Sequence, residues 1–181
     1  MRIIAGRLRR RALRAPKGLL TRPTTDRVRE ALFNLIDTRL ALDEAVVLDL
    51  FAGTGSLGLE AISRGAAAVT FVEQQARVLK VARQNAEDLD VADLCWFFRA
   101  DAVAYLERYN GPPFDLILAD PPYDLDALPR LPDLALPHLN PGALFVLEHD
   151  ARLNFDTHLR LDTSRPYGRT VISVFRAEAF S

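Results

Sequence analysis

The stretch Leu48-Asp49-Leu50-Phe51-Ala52-Gly53-Thr54-Gly55-Ser56-Leu57-Gly58 decides the fold. A short apolar run stops at a glycine-rich turn and an amphipathic segment starts directly after it, which reads as strand, tight loop and helix. Gly53 and Gly55 let the backbone take positive φ angles and approach a ligand closely, and Gly58 lets the new helix lie against the strand. The three glycines also spell G-x-G-x-x-G, with Glu73 near the distance expected of a ribose-binding carboxylate. Glycines at a strand-to-helix turn can serve packing alone, but the strand before, the helix after and the acid downstream favour a ligand. Asp49 sets the stretch apart from a pyrophosphate loop, which gains nothing from an anion at the strand end. A ligand carrying a cation, such as an amino acid or a sulfonium, does gain.

Outward from this loop, apolar runs alternate with segments of helical periodicity. Residues 45–51, 68–73, 94–99, 114–119 and 143–149 read as strands, and 56–64, 75–89 and 102–109 as helices. That alternation predicts an α/β fold, a Rossmann-like parallel sheet wound on both faces, whose ligands sit at the carboxyl ends of the strands. Residues 128–139 carry Pro129, Pro132 and Pro137 and read as a broken helix. Two further strands, 159–163 and 170–175, close the sheet across Arg165-Pro166-Tyr167-Gly168-Arg169.

Acidic residues recur where the strands end, at Asp49, Glu73, Asp101 and Asp120. Taken singly, each is an ordinary helix cap or loop residue. As a set they describe one ligand, because carboxylates at a buried rim are costly unless hydrogen-bonded. Glu73 is placed to accept from vicinal ribose hydroxyls, Asp101 with Ala102 to meet an exocyclic adenine amine, and Asp49 to face an amino-acid ammonium. The ligand so described is S-adenosylmethionine, leaving as S-adenosylhomocysteine.

Asp120-Pro121-Pro122-Tyr123 supplies the acceptor side. An amine conjugated to an aromatic ring is a poor nucleophile, because its lone pair is delocalised. Asp120 and the carbonyl of residue 121 can accept both amino hydrogens and turn the lone pair towards a methyl donor. The two prolines offer no competing N–H, and Tyr123 can stack on a base swung out of its helix. Positioning, rather than a strong base, then accounts for the rate.

At 181 residues and 49% hydrophobic, one domain over residues 1–181 is expected, with a basic β-hairpin at 1–23 ahead of a core at 24–181. The net charge of −1 conceals an asymmetry: residues 1–30 hold ten basic and two acidic side chains, a balance of +8 against −9 for the rest. Arg7, Arg9, Arg10, Arg11 and Arg14 alternate with small and apolar residues, as in an ordered hairpin with one packed face turning at Gly6. Arginine forks suit phosphate, so nucleic acid is the expected partner of this end. Next, Val28, Ala31, Leu32, Leu35 and Ile36 form a helical stripe capped by Thr24 or Thr25, which leaves Arg27, Arg29 and Glu30 on its flanks. The lone Cys95 excludes an internal disulfide, gives little support to a metal site and reads as a core residue. The absence of a signal peptide or long apolar run predicts a cytoplasmic protein with no membrane partner.

The chain resembles the bacterial RsmD family, methyltransferases that modify the exocyclic N2 of a guanine in 16S ribosomal RNA. The resemblance runs through Met1-Arg2-Ile3-Ile4-Ala5-Gly6, Arg22-Pro23-Thr24-Thr25-Asp26-Arg27-Val28-Arg29-Glu30, Asp49 to Gly55, Ser63-Arg64-Gly65-Ala66, Asp120 to Tyr123 and Tyr167-Gly168. It implies a class I S-adenosylmethionine-dependent methyltransferase fold, a seven-stranded mostly parallel sheet with one strand reversed. It implies catalytic roles for Asp120, Pro121, Pro122 and Tyr123. Cofactor contacts are implied at Asp49, Phe51, Ala52, Gly53, Thr54, Gly55, Glu73, Gln74, Asp101, Ala102 and Asp120. RNA contacts are expected at Arg2, Arg7, Arg9, Arg10, Arg11, Arg22, Thr25, Arg27 and Arg29. The implied partner is 16S rRNA in an assembled or partly assembled small subunit, met by a monomer. The glycine loop and Asp120 to Tyr123 alone also fit an adenine-N6 DNA methyltransferase, and a non-catalytic RNA-binding assembly factor is the remaining alternative.

Overall fold

A computed structural model describes residues 1–15 and 26–179. In chain order the described residues form α1 (Asp26–Asp37), β1 (Val46–Leu50), α2 (Ser56–Ser63), β2 (Ala68–Val72), α3 (Ala76–Asp88), β3 (Cys95–Phe98), α4 (Ala102–Arg108) and β4 (Phe114–Ala119). There follow α5 (Leu131–Ala135), β5 (Leu139–Asp150), β6 (Leu161–Tyr167) and β7 (Thr170–Arg176). The strands make one sheet in the order β3-β2-β1-β4-β5-β7-β6. Strands β3, β2, β1, β4 and β5 run parallel, and β7 is antiparallel to both β5 and β6. This is the expected Rossmann-like sheet of class I methyltransferases with one strand reversed. The order reverses at β1, so the crevice outside the ends of β1 and β4 is where a doubly wound sheet takes its ligand.

Both sheet faces are buried. One core joins Val47, Val69, Leu118 and Val146 to Leu32, Phe33 and Ile36 of α1, Leu59 and Ile62 of α2, and Leu79 of α3. The opposite core joins Leu48, Leu50, Ile117 and Leu147 to Leu106 of α4 and Leu131 of α5. The broken helix is found as expected, and two strand boundaries differ from the sequence reading. Residues 128–138 break at the prolines into two single 3-10 turns flanking the short α5. Strand β5 begins at Leu139, with a register irregularity opposite Phe114 and Leu116. Residues 165–167 belong to β6, so the turn shrinks to Gly168 and Arg169; Pro166 is tolerated there because β6 is an edge strand.

The amino-terminal arm is a loop closed by a single antiparallel bridge between Arg2 and Ala12, less regular than the expected hairpin. Ile3 and Leu13 are its buried anchors, worth about 1.5–3 kcal/mol each when fully buried. The rest of its attachment is polar. Buried Glu60 of α2 accepts from the backbone N–H of Ile4 at 2.7 Å and of Ala5 at 3.0 Å. Ser63 closes the same helix against the arm: its carbonyl accepts from the Arg7 N–H at 2.8 Å, and its hydroxyl accepts from Leu8 and donates to Ala5. Gly6 lies at φ +79°, and a Cβ there would stand 1.8 Å from the Ser63 carbonyl oxygen.

Candidate functional site

A cavity of about 1160 Å³ opens at the carboxyl ends of β1, β2 and β4, larger than most single-ligand pockets. Its floor is the glycine loop. Phe51, Gly53 and Gly55 all take positive φ, at +56°, +56° and +81°. For Phe51, a residue with a Cβ, that conformation costs energy and is held by its surroundings. The loop is pinned on both sides: Ala52 donates its N–H to the Val72 carbonyl, and Gly55 donates to Ala52 before acting as the left-handed N-cap of α2. Gly58 serves packing, since a Cβ there would meet the Phe71 ring at 2.4 Å.

The acidic residues fall around this floor, each also bonded to the protein. Asp49 lies inside β1 and is 1% exposed, and its Oδ2 accepts from the Gly58 N–H at 2.8 Å. Burial pushes its carboxyl up to about 7; the Gly58 N–H opposes this, and Asp120 and Glu73 add to it. Glu73 follows β2 and accepts from Gly53 N at 3.1 Å and Gln75 N at 2.8 Å, so it braces the loop as well as facing the cavity. Asp101 caps α4 through the Ala104 N–H at 2.9 Å while lining the cavity. Phe51, Ala52, Gly53, Thr54, Gln74 and Ala102 line the same space; Gly55 does not, being buried beneath the loop.

Asp120, Pro121, Pro122 and Tyr123 form the wall beyond β4. The Tyr123 hydroxyl and the Thr170 hydroxyl are 2.9 Å apart, which fixes the ring beside the start of β7. The sequence reading missed Glu148, which is 4% exposed on β5 and lines this wall. Its signal was the one already used at the other strands, an acid ending an apolar run.

The arginines divide. Arg27 lines the cavity mouth, and Arg7, Arg9 and Arg10 are exposed on the arm, with Arg9, Arg10 and Arg27 around a second depression of about 330 Å³. Arg2 is exposed but paired with Asp26 at 3.1 Å, and Arg11 is held by the Asp88 carbonyl and Asp90. Arg29 is corrected: it is 0% exposed and cannot meet RNA. Its guanidinium donates to the Arg2 carbonyl at 2.5 Å and to Asp26 at 3.0 Å, and its Nε lies 3.9 Å from Glu60. Arg22, Thr25 and the proposed capping threonines lie outside the described residues. Cys95 is half-buried rather than core; burial pushes its thiol up to about 12, far from a nucleophile's range.

Among the described residues no helix is long and apolar enough to cross a membrane. Comparison with known proteins shows the family. A Bacillus subtilis protein named as a candidate rRNA methyltransferase, YlbH, is 34% identical across 97% of this chain and 98% of its own length. Ribosomal RNA small subunit methyltransferase D of Escherichia coli is 39% identical over 68% of this chain and 60% of that protein. The solved structure of an Escherichia coli protein described as a candidate methyltransferase, yhhF, superposes with a TM-score of 0.85 at 34% identity, covering 99% of both chains. The family profile described as conserved hypothetical protein 95 matches residues 1–176, and the chain therefore belongs to that family, the RsmD family of rRNA methyltransferases.

Proposed function

We propose that this protein transfers the methyl group of S-adenosylmethionine to the exocyclic N2 of a guanine in 16S rRNA of an assembled or partly assembled small ribosomal subunit. The observation that carries the reading is that Asp120 to Tyr123 and the glycine loop open on one cavity with room for a nucleoside cofactor and a flipped base. The residues fit the cofactor: a loop held at positive φ, and three carboxylates spaced around it. Asp49 would face the ammonium, which draws its raised carboxyl back to the ionised form. Glu73 would meet the ribose hydroxyls, and Asp101 with Ala102 the adenine; Phe51, Thr54 and Gln74 line the rest.

S-adenosylmethionine held by these residues would supply an electrophilic methyl group for N2, with S-adenosylhomocysteine as the leaving group and the displaced N2 proton passing to water. The chain's own part is to hold the amine. Asp120 and the Pro121 carbonyl accept its two hydrogens, Tyr123 keeps the base plane fixed through Thr170, Arg27 at the cavity mouth takes a phosphate, and the exposed Arg7, Arg9 and Arg10 of the arm take others further out.

The test is transfer of labelled methyl to small-subunit particles from cells lacking the native enzyme, followed by nucleoside digestion. Label in N2-methylguanosine is expected; label in N6-methyladenosine or none overturns the reading. Asp120→Ala should abolish transfer and leave calorimetric cofactor binding largely intact.

A further inference from the structure

Among the nucleobases that carry an exocyclic amine, guanine alone has a ring N–H beside it. Adenine and cytosine present a ring-nitrogen lone pair at that place. A carboxylate next to the amine site therefore attracts guanine and repels the other two. The wall beyond β4 contains such a group. Ala119 of β4 pairs with Leu147 of β5, so Asp120 and Glu148 stand one residue further on two adjacent parallel strands, with backbones about 4.8 Å apart. Strand alternation gives both the same face. Leu118 and Val146 belong to the core under α1 and α2, and Asp49 shares that face with Val47. Glu148 is almost wholly buried yet borders the cavity that Asp120 and Tyr123 border.

We infer that Glu148 reads the target base, its carboxylate accepting the guanine N1–H while Asp120 and the Pro121 carbonyl hold the N2 amine. The inference rests on the guanine-N2 reading above and adds the group that makes the site choose guanine. No bond is made or broken at Glu148. Its effect is discrimination, because a site built to accept a substrate N–H is penalised when a lone pair takes that place.

The experiment compares particles reconstituted with 16S rRNA carrying guanine or 2-aminopurine at the nucleotide that the wild-type protein labels. 2-Aminopurine keeps the amine at C2 but has a lone pair at N1. The wild type should prefer guanine by ~100-fold or more in kcat/KM. Glu148→Gln, whose amide can donate to that lone pair, should lower guanine kcat/KM by roughly 10–100-fold and bring the preference down to about tenfold or less. Cofactor affinity and the unfolding midpoint should stay close to wild type. Equal methylation of the two bases by the wild type overturns the inference without needing the variant. So does a Glu148→Gln protein with unchanged preference. If the wild type never forms N2-methylguanosine, the guanine-N2 reading itself has failed, a separate outcome seen before any variant is made.

Discussion

Asn85 and Thr54 lie 31 residues apart, and the Asn85 Nδ2–H donates to the Thr54 carbonyl at 2.9 Å. The same buried amide donates to the Arg14 carbonyl at 3.3 Å and accepts the Arg14 N–H at 2.7 Å. One side chain of α3 thus ties the glycine loop to the end of the basic arm. Asn85→Ala leaves these backbone groups without that partner. It should cost about 1–3 kcal/mol of stability and weaken cofactor binding in the same protein. Urea denaturation and calorimetric titration with S-adenosylmethionine measure the two effects.

Arg29 and Arg27 are close in sequence and opposite in expected consequence. Arg29→Ala removes the guanidinium beside buried Glu60 and should destabilise by about 3–5 kcal/mol. Arg27→Ala, at the exposed cavity mouth, should change stability by less than about 0.5 kcal/mol and weaken binding to small-subunit particles. Denaturant midpoints and filter binding separate them.

The Asp49 carboxyl, raised to about 7 from 3.8 chiefly by burial, sets a pH dependence. The folded state holds this proton more tightly than the unfolded chain does. The resulting stability is fully present below about 3.8 and is lost as pH rises to about 7. Over that window the unfolding midpoint of the ligand-free protein should fall relative to Asp49→Asn, whose dependence should be flatter. Affinity for S-adenosylmethionine should run the other way, rising between about pH 6 and about pH 8 as the carboxylate ionises to meet an ammonium. Scanning calorimetry and titration calorimetry across these pH values check both signs.

Gly6→Ala places a Cβ against the Ser63 carbonyl and also opposes the positive φ. The arm should leave its dock while the sheet stays folded. Binding to small-subunit particles should fall by about tenfold or more, with a shallower salt dependence, and cofactor affinity should change little. A shift in the salt slope read by filter binding is the measurement.

Much of this was legible in the sequence because it rests on local rules. The glycine turn, the alternation of strand and helix, and the acids at Asp49, Glu73, Asp101 and Asp120 depend on neighbours in the chain, and the structure brings all four acids to one cavity. Arg29 was misread for a specific reason. The buried face of α1 is Arg29, Leu32, Phe33 and Ile36, at spacings of three and four; the sequence stripe shares Leu32 and Ile36 with it but is centred one position round, on Val28, Ala31 and Leu35 in place of Arg29 and Phe33. An arginine reads as an RNA contact there because its charge outweighs its register. Its partner Glu60 sits in an otherwise apolar run, and only the tertiary contact with the arm explains a carboxylate there. The arm's dock, the Asn85 tie and the place of Glu148 beside Asp120 all depend on segments far apart in sequence.

Helix α2 carries the glycine loop at its first turn and the Glu60 and Ser63 dock at its last. Eight residues give it a length of about 12 Å. The arm and the loop are therefore fixed to the two ends of one short rigid rod. The rod works as a gauge: it sets the spacing between the docked arm and the loop that floors the cavity, and one helical turn more or less would change that spacing by about 5.4 Å.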